Sequence, residues 1–272
     1  MNWSKAKNIA ITAFLILNGL LMLLLYLDGR QYVLAADSQR AITTVLNNNN
    51  IILDPGFRFI RHDPTRRLAL SENSFNRNAL ANLLMVNNSD IYMTVGDGYT
   101  KFHNAMEEVR FYDYGLVRYT NLGHSYLSLE TENEKRMFST GIMNNIGEEV
   151  RYFVLDTSRP TPDGLVLSYR QVYRNKLIYS NFLIFTFKDG NIYTIDFSLN
   201  PVSGFFGNPR EMRPSDEILL TFMRNTTDAA TIKSMDIVHK AQGQISTPYY
   251  RITYMQHNLL RTMLINGYTN SL

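Results

Sequence analysis

Histidine–carboxylate pairs are where chemistry would first be sought in this chain. His103 and Glu107 stand four residues apart. On a helix both would lie on one face and could share a metal ion. The preceding Tyr99-Thr-Lys-Phe run reads as strand instead, so a solvated surface pair is the expectation. His62-Asp63 falls in a proline- and arginine-rich stretch, where turn chemistry is the simpler reading. Gly96-Asp97-Gly98 offers one carboxylate, too few oxygen ligands for calcium, and is expected to form a tight turn. Asp236 and His239 fall on opposite faces of a strand and read as structural. Asn225-Thr-Thr matches a glycosylation acceptor and is expected to go unused.

Nucleophilic and cofactor motifs are missing as well. The chain has no cysteine, which excludes thiolate chemistry, disulfide staples and cysteine metal sites. It contains no G-x-S-x-G elbow, phosphate loop or HExxH. No cofactor or metal is implied, and the expectation is a protein that is not an enzyme. Its densest basic patch is Arg58, Arg61, Arg66 and Arg67, read either as a solvated hairpin or as a docking surface for an anionic wall polymer or an acidic partner.

Composition is that of a folded chain. Of 272 residues, 45% are hydrophobic and 12% aromatic, and 27 basic against 24 acidic residues leave a net charge of +3. With no basic block, nucleic acid is not an expected partner. Seventeen tyrosines and fifteen phenylalanines favour sheet, because aromatic side chains suit a half-buried pleated surface.

The elements that would carry these residues follow from periodicity. Residues 31–49 have a helical stripe through Leu34, Ile42 and Leu46, stopped by the asparagines 47–50. Pro55-Gly56 marks a turn, with short strands at 57–60 and 67–70. Asn73 or Ser74 can cap a helix repeating Phe75, Ala79, Leu80, Leu83 and Leu84. Strands follow at 91–95, 99–102, 109–112 and 116–119. Residues 132–146 read as helix, with Met137, Phe138, Ile142 and Ile146 on one face. Residues 156–164, with two prolines, read as loop. The clearest hairpin is 182–187 and 192–199 around Asp189-Gly190, the dipeptide that suits a primed turn. A long connection is expected over 200–214. Ser215 would then cap a helix buried through Ile218, Leu219 and Phe222, and strands at 232–239, 249–255 and 259–265 close the chain.

One stretch governs the expected placement. Residues 9–27, IAITAFLILNGLLMLLLYL, carry no charge and are just long enough to cross roughly 30 Å of hydrocarbon. Lys5 and Lys7 on the short head would stay in the cytoplasm. A cleaved signal peptide or a buried helix competes, but the run is long for the first and lacks the polar stripe of the second. The expected architecture is α+β: a cytoplasmic head 1–8, a transmembrane helix 9–27, and an extracytoplasmic domain of two helix-on-antiparallel-sheet units, 31–130 and 131–272. Within the span, Ala10, Ala13, Asn18 and Gly19 would let a partner helix approach and hydrogen-bond.

Both ends of the chain also carry a resemblance. Met1-Asn-Trp3-Ser4-Lys5-Ala-Lys-Asn-Ile, running into one apolar helix, resembles the start of the YycI (WalI) family. Pro248-Tyr-Tyr250-Arg251-Ile, followed by Leu264-Ile-Asn266-Gly-Tyr268, is similar to the pattern closing YycI, YycH and related PepSY-like domains. Tyr250 stands where that family has tryptophan and Gly267 where it has alanine. The resemblance implies a single-pass accessory protein that pairs with a YycH-like protein and tunes a sensor histidine kinase of the WalK (YycG) type, governing cell-wall homeostasis. It implies no catalytic residue. The alternative expectation is a membrane-anchored module that binds the wall or inhibits a wall enzyme.

Overall fold

The computed structural model describes residues 3–72, 75–85, 90–123, 127–147 and 150–272, with the side chains of 4–6, 9 and 25–31 outside that description. The chain is a mixed α+β protein whose described strands belong to one 14-stranded sheet. It divides into two compact units, and each is assembled from separated segments: Met1–Thr65, Pro209–Asp236 and Tyr249–Leu272 in the first, Arg66–Asn208 and Ile237–Pro248 in the second. The expected pair of helix-on-antiparallel-sheet units is corrected to a mixed α+β fold with one 14-stranded sheet. Late strands return to pair with early ones, which local patterning does not encode.

The first unit holds helix α1 (Trp3–Gln31), α2 (Ala36–Asn48), strand β1 (Ile51–Leu53), α5 (Ser215–Arg224), the beginning of β12 (Ala230–Gln242), the end of β13 (Ile245–Gln256) and β14 (Leu259–Asn266). β1 runs parallel to β12, with Ile51 opposite Ala230, and β14 runs antiparallel to β13. The core is Ile42 and Leu46 of α2, Ile218, Leu219 and Phe222 of α5, and Ile232, Tyr250, Ile252 and Ile265 of the strands. Phe222 meets Tyr254 edge-on at 4.9 Å. Pro214, not Ser215, occupies the N-cap of α5, and Ser215 is the first helical residue.

Among the described residues, no helix is long and apolar enough to cross a membrane. The span expected over 9–27 is therefore corrected, and with it the single-pass, extracytoplasmic placement. Polar groups within α1 turn back on the helix itself, as Thr12 Oγ1 donates to the Asn8 carbonyl at 2.9 Å and Asn18 Nδ2 to the Phe14 carbonyl at 3.0 Å.

The second unit holds β2 (Thr65–Leu70) from Arg66 onward, α3 (Arg77–Leu84), β3 (Tyr92–Gly96), β4 (Tyr99–His103), β5 (Glu107–Tyr112), β6 (Leu116–Asn121), α4 (Glu132–Ile146), β7 (Phe153–Thr161), β8 (Gly164–Tyr173), β9 (Lys176–Lys188), β10 (Asn191–Ser198) and β11 (Val202–Arg210) as far as Asn208. The strand order runs β11-β2-β13-β12-β9-β10-β6-β5-β4-β3. β3 to β6 form an antiparallel meander, in which alternate residues must face opposite sides. Phe102, Val109, Phe111, Val117 and Tyr119 join Leu80 and Leu84 of α3 and Phe185 and Phe187 of β9 in one apolar core.

Local chemistry explains the helix and turn positions. Asn76 caps α3 by accepting from the Ala79 amide at 3.1 Å, while the caps expected at Asn73 or Ser74 lie outside the described residues. Thr131 and Glu134 close a reciprocal capping box on α4, satisfying two otherwise orphaned amides. Phe138, Ile142 and Ile146 of α4 pack against the core as expected, whereas Met137 is 76% exposed and Lys135 and Ser139 are buried. Asp189 (φ 47°) and Gly190 (φ 76°) make the primed turn between β9 and β10. The expected loop 156–164 is largely strand β7, an outer strand that among the described residues pairs only with β8, where Pro160 need not donate to a ladder. Likewise the connection over 200–214 contains β11, and no strand forms over 57–60.

Candidate interaction surface

Alternation in the meander sorts its residues into two populations. Inward, Glu107 is fully buried and accepts a hydrogen bond from Tyr119 Oη at 2.9 Å. Outward, Tyr99 stands opposite Tyr112, Lys101 opposite Arg110, and Arg110 opposite Arg118. The Tyr99 and Tyr112 rings lie 6.2 Å apart, and Tyr112 stacks on Tyr114 at 5.2 Å. Tyr114 is 75% exposed. Arg110 places its guanidinium 5.8 Å from the Tyr99 ring centroid. The result is a row of tyrosines flanked by cations, the composition that protein interfaces favour over ordinary surface.

Ion pairs fix this row in place. Arg110 reaches Glu108 at 2.8 Å. Arg118 grips Asp196 of β10 with two nitrogens, at 2.6 and 3.1 Å. The hydrogen bond to Asp196 raises the Arg118 pKa above its usual range, and the bond to Glu108 does the same for Arg110. Both guanidinium groups therefore stay charged across the physiological range. Beside the β5–β6 turn, a cavity of about 310 Å³ is lined by Glu72, Arg77, Tyr112, Asp113, Tyr114 and Asn200 among others. Such a wall can hold a flat or apolar group against the tyrosines while polar ends orient it.

The first unit has its own cavity, about 370 Å³, lined by Tyr32, His62, Glu211, Met212, Arg213, Pro214 and Tyr268. His62 meets Tyr32 edge-on at 6.0 Å, and its buried Nδ1 makes no hydrogen bond. The sequence reading favours turn chemistry over an acid–base pair for His62-Asp63. Asp63 binds Arg61 at 2.8 Å, and the fold brings His62 to the same wall as distant Glu211.

Other residues singled out in the sequence take structural positions. Of the basic patch, Arg58 and Arg61 belong to the first unit, Arg66 and Arg67 to the second. Arg66 and Arg67 lie over the rings of Phe205 and Phe206, at 5.7 and 4.9 Å. His103 faces outward, bonded through Nε2 to Thr94 Oγ1 at 3.2 Å, while Glu107 faces the core, so the two do not converge. Among the described residues no group of three metal-ligating side chains forms. Gly96-Asp97-Gly98 is the β3–β4 turn, with Gly98 at φ 75°.

The closing motif braces the first unit, with buried Pro248 just before it in β13. Tyr250 is fully buried and donates to the Arg213 carbonyl at 2.6 Å, and burial pushes its phenol pKa up. Arg251 forks onto Asp236 at 2.9 and 2.6 Å. Asn266 Oδ1 accepts from the amides of Tyr268 and Thr269, turning the chain back toward α5. At the other end, Trp3, Ala10, Ala13 and Gly19 are exposed on α1 and Asn18 is half-buried. Ser4 and Lys5 also lie in α1, their side chains outside the description.

No family model matches this chain, and no curated protein matches it. Among solved structures it is similar to an uncharacterized protein from Eubacterium rectale ATCC 33656, with TM-score 0.50 and 10% identity over 82% of this chain and 90% of that one. The C-terminal domain of Bacillus megaterium YpeB gives TM-score 0.40 and 10% identity over 74% of this chain and 96% of that one. The first likeness is one of fold alone. Membership of the YycI family is not confirmed.

Proposed function

We propose that this protein is a non-catalytic regulator that acts by binding other proteins, with the outer face of the β4–β6 meander as its docking surface. The carrying observation is the row Tyr99, Tyr112 and Tyr114 with Lys101 and Arg110 beside it, aromatic and cationic, with Tyr114 exposed and the other four half-buried. Tyrosine and arginine dominate binding energy where they can be desolvated together. The resemblance of the two chain ends to the YycI family supplies candidate partners: a YycH-like protein and a sensor histidine kinase of the WalK type. Binding would then tune cell-wall-related two-component signalling. A crosslinking pull-down of the full chain tests this. A histidine kinase and a YycH-like protein should both be recovered with the wild type, and Tyr112→Ala with Lys101→Glu should lower recovery at least tenfold. Recovery of neither, or equal recovery with the variant, overturns the proposal.

A second reading, a module that binds cell-wall polymer, is favoured by the stacked Tyr112 and Tyr114 bordering the 310 Å³ cavity, since aromatic faces also suit sugar rings. Co-sedimentation with purified wall, lost in Tyr114→Ala, would select it.

A further inference from the structure

The strand that ends the meander differs from every other strand of the second unit. β3 closes the strand order beyond β4, and among the described residues it pairs with β4 alone. Its outer row of backbone donors and acceptors is open, which proteins usually guard with charge, proline, a bulge or a cover. β3 reads Tyr-Met-Thr-Val-Gly and has neither charge nor proline. It also turns large apolar groups to solvent on both faces: Tyr92 is 62%, Met93 63% and Val95 71% exposed.

We infer that the β3 edge is the site where two copies of this chain pair, antiparallel and about a two-fold axis through Thr94. The occupant follows from the strand's own pattern. An isologous contact places the same residues on both sides, so it must be self-complementary. Centred on Thr94, the pairing sets Thr94 against Thr94, Met93 against Val95 and Tyr92 against Gly96. Each is a favourable cross-strand combination: hydroxyl with hydroxyl, apolar with apolar, and a large ring next to a residue with no side chain of its own. Because β3 carries no charge, self-pairing meets no like-charge opposition along the strand, whereas a charged partner strand would find no counter-charge there.

Gly96 adds a geometric reason. The Tyr99 ring already lies across it, so close that an added Cβ would sit 2.5 Å from the Tyr99 Cζ. Tyr92 of a second copy would therefore arrive beside the Tyr99 ring. The tyrosine row Tyr114, Tyr112, Tyr99 would continue across the axis and give one face to two copies. On the opposite face, Met93 and Val95, uncovered in one copy, would meet Val95 and Met93 of the other. The self-association is independent of the regulatory reading, since it needs neither kinase nor wall.

The absence of cysteine makes the test clean. Thr94→Cys gives each full-length chain a single thiol at the proposed axis. Paired antiparallel residues have Cα atoms about 4.5–5.5 Å apart, within the range a disulfide bridges. Lys101→Cys, on the neighbouring strand, would face its copy three strand spacings away, about 14 Å. Under copper-phenanthroline oxidation, Thr94→Cys should form disulfide dimers at least tenfold faster than Lys101→Cys. Adding Val95→Lys, or Met93→Lys should the first misfold, should slow that dimer at least tenfold while the thermal melt is unchanged. Sedimentation of the cysteine-free chain should show concentration-dependent dimer that Val95→Lys abolishes. Equal crosslinking at 94 and 101, association indifferent to the lysines, or a monomer at every concentration overturns the inference; association through α1 would appear as the second of these.

Discussion

The two ends of the second unit's strand order solve the problem of an open edge differently. β11 has Gly204 and Gly207 at positive φ, carries Pro209, and has the guanidinium groups of Arg66 and Arg67 over Phe205 and Phe206. Each device obstructs an added strand. β3 has none of them. Inside the same meander a second contrast holds, between the covered face with Phe111, Val109 and Glu107 and the open face with Arg110, Tyr112 and Arg118. Together these contrasts teach that residue type is a poor guide to role here. Apolar Met93 and Val95 are exposed at the edge while acidic Glu107 is buried one strand-pair away, because the covering elements, not the side chains, decide which surface water reaches.

The largest expected effect tests the covered face. Phe111→Ala removes a buried ring that meets Phe102 edge-on at 5.7 Å and should destabilise the protein by about 3–5 kcal/mol in urea unfolding. A loss under about 1 kcal/mol would mean that the inner face is not packed as described.

Next comes the cost of a covered polar group. His239 is fully buried where β12 runs beside β9, and neither ring nitrogen makes a hydrogen bond of normal geometry. Burial outweighs the nearby Ser246 backbone and holds its pKa down to about 4 from 6.5. Its folded pKa lies below its unfolded one, so the unfolded chain takes up the proton first. Stability should be intact above pH 6.5 and fall as the pH drops through 4, by on the order of 3 kcal/mol from this residue. His239→Leu should flatten the stability–pH curve between pH 6.5 and 4, and unchanged slopes would show that the ring is not buried neutral.

The smallest effect belongs to the open face. Arg118→Ala breaks a fork to Asp196 whose arginine is 44% exposed, and such exposed pairs contribute about 0–1 kcal/mol. Chemical denaturation should barely move. A loss of several kcal/mol would erase the distinction between the two faces.

Sequence alone determined the parts whose cause is local. The hairpin around Asp189-Gly190, helix α4, the buried stripe Ile218, Leu219 and Phe222, and the meander strands each follow from turn chemistry or from periods of two and 3.6 residues. Such signals act between residues a few positions apart, so they are written in the order of the chain. Tertiary structure decided the rest. It made strands of β7 and β11 despite their prolines and glycines, because an outer strand need not donate on its free side. It divided β12 and β13 between two units, separated the arginines 58–67, and set His62 beside Glu211. It also left β3 uncovered and its tyrosine row open. Cover and register depend on contacts between residues far apart in sequence, and alternation of polar and apolar side chains does not state which face another element will reach.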